Sequence, residues 1–140
     1  MIINRKAIFQ GTAVFILLYF IHLMILPLLA KTSQRGEDGA AIFGVHQLLG
    51  VATCLISGFF AARIAGERGF FYGFNVGALG TVISALAAIL WAAVTGAKFP
   101  PIGMLPFWIV VNGFLAAFAG LFAVNFGAAT ETKGRQPDGS

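Results

Sequence analysis

The sequence predicts an all-α membrane protein, an antiparallel four-helix transmembrane bundle, and three observations carry that prediction. The 140-residue chain is 59% hydrophobic and 10% charged, whereas soluble domains carry about 25% charged residues. Four apolar runs are each long enough for a bilayer core, which takes about 20 helical residues. The polar breaks between them and the two chain ends hold all the charge. These features leave room for one domain, residues 1–127, and for no large extramembrane catalytic unit.

The first span covers about 8–29, after a short start with Arg5 and Lys6. Its apolar run exceeds the ~7–15 residues of a signal-peptide core, and no small-x-small cleavage site follows, so it is expected to stay as a helix. Pro27 falls in its last turn, where a lost amide and a ring clash favour a kink. A polar loop with Gly36 and Gly39 follows. The second span covers about 40–62 and the third about 70–95, joined by the turn Arg63 to Gly69. Pro100 and Pro101 stop the chain before a fourth span at about 104–127, in which Pro106 suits a first-turn position. Residues 128–140 are polar and aperiodic and read as a disordered tail.

Charge sets the expected orientation. Arg5, Lys6, Arg63, Arg68, Lys133 and Arg135 fall on one side, against Lys31, Arg35 and Lys98 on the other. The richer side is expected to be cytoplasmic, which puts both termini there. Phe70, Phe71 and Tyr72 are then expected at the inner interface, and Trp91, Phe99 and Trp108 near the outer one. With no long basic run and no basic-aromatic patch, the net charge of +4 reads as topology information, and nucleic acid is not an expected partner.

Lipid tails are as apolar as Leu, so helices in a bilayer associate through close packing and polar contacts. Gly50, Cys54, Gly58 and Ala62 recur every four residues on the second span, and Gly73, Gly77, Thr81 and Ala85 on the third. Gly73 and Gly77 form a GxxxG pair, and Ala119, Ala123 and Gly127 add a small face on the fourth. These ladders are expected to zip the central hairpin and to seat the fourth helix against it, or else to form a homo-oligomer interface.

The hairpin pattern of Gly58, Ala61-Ala62-Arg63, Ala65-Gly66, Arg68-Gly69, Gly73 and Gly77 resembles the central hairpin of small four-span bacterial membrane proteins of uncharacterised function. The resemblance covers about a quarter of the chain. It implies the same fold and location and supplies no catalytic residues.

No Asp, Glu, Lys or Arg falls within the cores of the four spans, which argues against a carboxylate proton relay, a voltage sensor or an intramembrane acid/base pair. No Walker loop, no HExxH and no dinucleotide context is present. His22 and His46 remain, at matching depth on adjacent antiparallel spans. Three readings compete for them: a hydrogen-bonded fastener between helices, the two axial ligands of a haem, or a metal or proton-sensing site. Cys54 lies about 12 Å along the axis from His46, too far to share a metal shell. Asn75, Asn112 and Asn125 read as buried interhelical hydrogen-bonding groups, with a permeation path as the alternative. The expected role is a structural or accessory membrane component packing through its small-residue faces, with lipid, a second copy or a larger membrane complex as partner. The alternatives are a minimal oligomeric transporter or channel with His46, Thr53 and Ser57 facing the path, and a bis-histidine haem redox subunit.

Overall fold

A computed structural model describes residues 3–32, 39–96 and 102–133. They form four long helices, α1 (Arg5–Thr32), α2 (Gly39–Ala65), α3 (Gly69–Thr95) and α4 (Leu105–Lys133), with one 3-10 turn, Ile102–Met104, leading into α4. The described residues contain no strand. Each helix has 27 to 29 residues, about 40 Å at ~1.5 Å per residue. All four are long and apolar enough to cross a membrane, and the protein is a multi-pass membrane protein. The connections at 33–38 and 97–101, with Arg35, Lys98 and Phe99, and residues 134–140, with Arg135, lie outside the described residues.

The helix ends depart from the sequence reading in three places. Helix α1 continues through Pro27 to Thr32. Helix α4 continues to Lys133, into the stretch read as a disordered tail, because Ala128 and Ala129 are strong helix formers and nothing before Gly134 breaks the helix. The α2–α3 turn is tighter than the seven residues expected. Gly66 (φ 73°) ends α2 in the left-handed region, and Arg68 (φ 50°, ψ 45°) enters α3 in the same region. Glycine holds such a backbone freely, but an arginine there is strained.

Helices α2 and α3 are the centre. Helix α1 packs on one side of the hairpin they form and α4 on the other, and the described residues of α1 and α4 do not meet. The layering is inverted relative to a soluble bundle. Ala7, Ala61, Ala62, Ala116, Ala117 and Ala123 are buried, while Phe9, Met24, Leu48, Leu90, Val94 and Phe126 face outward. This suits a bilayer, where large apolar side chains are solvated by lipid and small ones let backbones approach.

The turn-side members of the small-residue ladders face α4. A Cβ on Gly58 or on Gly73 would overlap the Ala116 backbone, one on Gly77 the Asn112 carbonyl, and one on Gly69 the Gly120 carbonyl. Helix α4 is therefore sunk into the hairpin groove: of the two contacts expected of the ladders, these glycines make the one that seats the fourth helix. On the opposite side Gly11 admits α1: a Cβ there would lie 2.6 Å from Ala61 Cβ and 2.8 Å from Val76 Cγ2. Phe15 fills the next step, its ring against Gly80.

Tyr72 corrects the interface expectation. It is 2% exposed, and its phenol oxygen accepts the Asn4 backbone N–H at 2.8 Å. Asn4 Oδ1 in turn accepts the Ala7 N–H at 3.2 Å, as an N-cap does. The start of α1 is thereby pinned to the start of α3. Phe70 stays exposed, as do Trp91 and Trp108 at the other end.

Candidate functional site

The close approaches lie in the half of the bundle next to the α2–α3 turn. In the other half the four helices separate around a partly open cavity of about 530 Å³. A volume of about 300–1,000 Å³ is the usual size of a small-molecule site. Every helix contributes: Tyr19 and His22 from α1, His46, Gly50 and Thr53 from α2, Thr81, Ser84 and Ala88 from α3, and Leu105, Trp108 and Asn112 from α4. The lining reaches Cys54 and Leu115 toward the turn and Ile102 at the far end.

The two histidines meet on one wall. His22 Nε2 lies 2.6 Å from His46 Nδ1, with ring centroids 4.6 Å apart and planes tilted by 51°. Tyr19 stands edge-on to His22 at 6.0 Å. The contact follows from register: α1 is anchored at the turn end by Asn4 and Tyr72, and antiparallel packing carries residue 22 to the level of residue 46.

Burial assigns the tautomers. His22 is 3% exposed and its Nδ1 has no partner, whereas His46 is exposed. An orphaned buried N–H is rarer than an orphaned lone pair. The His22 Nε2–H therefore donates to His46 Nδ1, and the proton of His46 sits on Nε2 as the free donor of the pair.

That hydrogen bond bears on the haem and metal readings. Two imidazole nitrogens on opposite sides of one metal ion stand about 4 Å apart, at about 2.0–2.1 Å each. At 2.6 Å the pair has no room for an iron between its facing nitrogens, so the residues as arranged do not fit a bis-histidine haem. Among the described residues no group of three His, Cys, Asp or Glu is placed to hold a metal ion.

The opposite wall carries a second polar group. Asn112 Nδ2 donates to Thr81 Oγ1 at 3.0 Å, and the Thr81 hydroxyl donates to the Gly77 carbonyl at 2.7 Å. This relay ties α4 to α3 at the cavity floor. It leaves Asn112 one amide N–H and its carbonyl oxygen for other partners. Asn75, by contrast, folds back on its own helix, donating to the Phe71 carbonyl.

The stripe read as a polar path divides. His46 and Thr53 line the cavity, but Ser57 is fully buried beyond its lining and donates to the Cys54 carbonyl. Thr53 itself donates to the Leu49 carbonyl. Toward the turn the interior is closed by the Gly58, Gly73 and Ala116 contacts. Of the residues read as packing positions, Gly58 and Gly73 face α4, as does Gly77, whereas Gly50 and Cys54 line the cavity. A Cβ on Gly50 would meet only the edge of His22, at 4.0 Å.

Sequence reasoning placed Trp108 near the outer interface and not at a site, and it singled out neither Ser84 nor the cavity itself. An empty volume has no residue signature; it arises where small-residue packing stops. No protein-family model, no curated protein and no solved structure matches this chain.

Proposed function

We propose that this protein binds a small amphipathic molecule inside the membrane, in the cavity between its four helices. One observation carries the reading: an interior otherwise closed by glycine and alanine opens into about 530 Å³ lined by polar groups from all four helices. Such a combination of mainly apolar walls and a few placed polar groups is what ligand sites share. The cavity ends at Cys54, Thr81 and Leu115, which supports holding a ligand over conducting one through a single chain. The small faces that suggested an accessory packing component are used within the chain, so the proposal does not rest on them.

The location belongs to the same proposal. The basic residues Arg5, Lys6, Arg63 and Arg68 gather at the turn end, which supports a cytoplasmic placement of that end and of both termini. The resemblance of the hairpin to small four-span bacterial proteins supports a bacterial inner membrane.

Native mass spectrometry of protein purified in mild detergent tests the binding reading. Wild-type protein is expected to retain a small-molecule adduct, and Ala88→Trp, which fills the cavity, to lose it while keeping its helical melt. A wild-type protein that carries no adduct and takes up none from a membrane lipid extract refutes the reading.

A further inference from the structure

We infer that the His22–His46 contact is a proton-operated latch on the cavity wall between α1 and α2; its use as a gate rests on the binding reading above. The contact is what holds that wall. In the turn half α1 is fixed at several points, with Ala7, Gly11, Thr12 and Phe15 buried and Asn4 bonded to Tyr72. Farther out, between residues 16 and 25, His22 is the one buried residue of α1, and between residues 44 and 52 α2 has none. Leu17, Phe20, Leu23 and Met24 around it are exposed. Among the described side chains, the bond from His22 to His46 is also the only hydrogen bond from α1 to α2. With α1 anchored near the turn, loss of this contact leaves its outer half free to swing from α2 as a lever, which opens one side of the cavity to lipid.

Proton arithmetic makes the contact conditional. The neutral pair carries two hydrogens on four ring nitrogens, and one of them fills the 2.6 Å gap between His22 Nε2 and His46 Nδ1. A first added proton can still leave one of the facing nitrogens bare to accept. Once each ring has taken one proton from the aqueous phase, all four nitrogens bear hydrogen and two N–H groups point at each other. Two positive rings with centroids 4.6 Å apart also repel, and the bond is lost. Imidazole is the side chain that makes this change between about pH 5 and pH 8. Among the described residues of the lining, the other titratable ones are Tyr19, edge-on to His22, and Cys54 on α2, both neutral and already protonated at about pH 7; α3 and α4 contribute none. Lys31, Arg35, Glu37, Asp38 and Lys98 lie outside the described side chains. Their charges bear on the pH at which the pair fills, not on its hydrogen count, and the variants below retain them all.

Spin labels at Met24→Cys and Leu48→Cys, exposed positions next to the histidines on each helix, report the separation of α1 and α2 in tag-free protein in nanodiscs, in a Cys54→Ala background. One short separation is expected at about pH 8, with a longer one that grows toward about pH 5 and reverses. His22→Gln with His46→Gln, which keeps hydrogen-bonding side chains but cannot titrate, is expected to hold one separation across the range. A wild-type separation unmoved by pH overturns the latch, as does a glutamine variant that opens with acid as wild type does. If the glutamine variant fails to fold, nitrogen-15-labelled histidine decides with both histidines in place. The chain has only these two histidines, so ring protonation is read directly, and opening while either ring is still neutral overturns the latch. These separations are measured without ligand and stand apart from adduct retention. Acid opening in a protein that carries and takes up no adduct refutes the binding reading, and the gate with it, while the latch stands; retention in a protein that does not open refutes the latch alone.

Discussion

Gly58→Ala adds one methyl group at the point where α2 meets α4, and its effect is set by what that methyl would touch. The nearest atoms belong to the Ala116 backbone, with Ala116 Cα at 2.7 Å from the new carbon. Carbon atoms rest at about 3.5–4.0 Å, and a gap of about 0.5–1 Å forfeits a quarter to a half of each contact it opens. Backbone cannot rotate away as a side chain does, so α4 must lift by about 1 Å along its seat. Overpacking of this kind destabilises by about 1–3 kcal/mol. The gain in helix propensity from Gly to Ala, about 0.8–1.0 kcal/mol, opposes it. Gly44→Ala, on the same helix with nothing within 4 Å of the new carbon, isolates that opposing term. The expected result is a Gly44→Ala protein slightly more stable than wild type and a Gly58→Ala protein less stable, measured by circular dichroism during denaturation in mixed micelles. Gly73 faces the same Ala116 backbone, so the Gly58→Ala, Gly73→Ala double variant is expected to lose less than the sum of its singles, because one displacement of α4 accommodates both methyls. A Gly58→Ala protein as stable as Gly44→Ala, or strictly additive losses, would refute the seat of α4 described above.

Three further predictions follow from individual contacts. His22→Ala and His46→Ala each break one hydrogen bond between α1 and α2, of a kind worth about 0.6 kcal/mol and up to about 1.7 in membrane bundles; the double variant is expected to be little worse than either single, and full additivity would sink the pairing. Tyr72→Phe removes the acceptor of the Asn4 N–H and is expected to cost about 0.5–1.5 kcal/mol, with faster amide hydrogen exchange confined to the first turn of α1. Arg68→Gly relieves a left-handed arginine, a conformation that costs about 1–2 kcal/mol outside glycine, and is expected to raise the denaturation midpoint; an unchanged or lowered midpoint counts against strain in the turn.

The four spans were legible because a bilayer imposes length and composition directly on sequence. The 27-residue helices of the hairpin and the break at Gly66 to Arg68 fall close to where the apolar runs stop. Which faces meet was less legible. A stripe such as Gly58 and Ala62, or Gly73 and Gly77, reports that a backbone comes near but not which one, and the partner proved to be α4. Tyr72 was misplaced for a related reason: an aromatic residue near a span end fits a lipid interface on composition alone. Its position opposite Asn4, 68 residues away in sequence, depends on how α1 lies against α3. The histidine register could be counted from helix ends, whereas the bond length that argues against an iron between the rings could not.

The glycines also explain why the cavity lies where it does, and Gly50 tests that explanation. Glycines that meet a neighbour closely, at 11, 58, 69, 73, 77, 80, 113 and 120, draw the helices together over the turn half and into the floor. Gly44 and Gly103, farther out, meet nothing within 4 Å, and Gly50 meets only the His22 edge. Two helices joined by a tight turn and pressed to a third near that turn diverge with distance from it, unless bulk fills the gap. Around the cavity α3 supplies mostly small side chains, Thr81, Ser84, Ala85 and Ala88, with Ile89 as its large one. Gly50→Leu adds the missing volume from the α2 wall without entering any backbone contact. It is therefore expected to leave the denaturation midpoint unchanged or raised, gaining propensity and filling empty space, while abolishing retention of a bound molecule. Gly58→Leu, with the same added atoms on the same helix two turns nearer the turn, is expected to unseat α4. If Gly50→Leu were as destabilising as Gly58→Leu, the outer half would be packed rather than open, and the cavity would lose its claim to be a site.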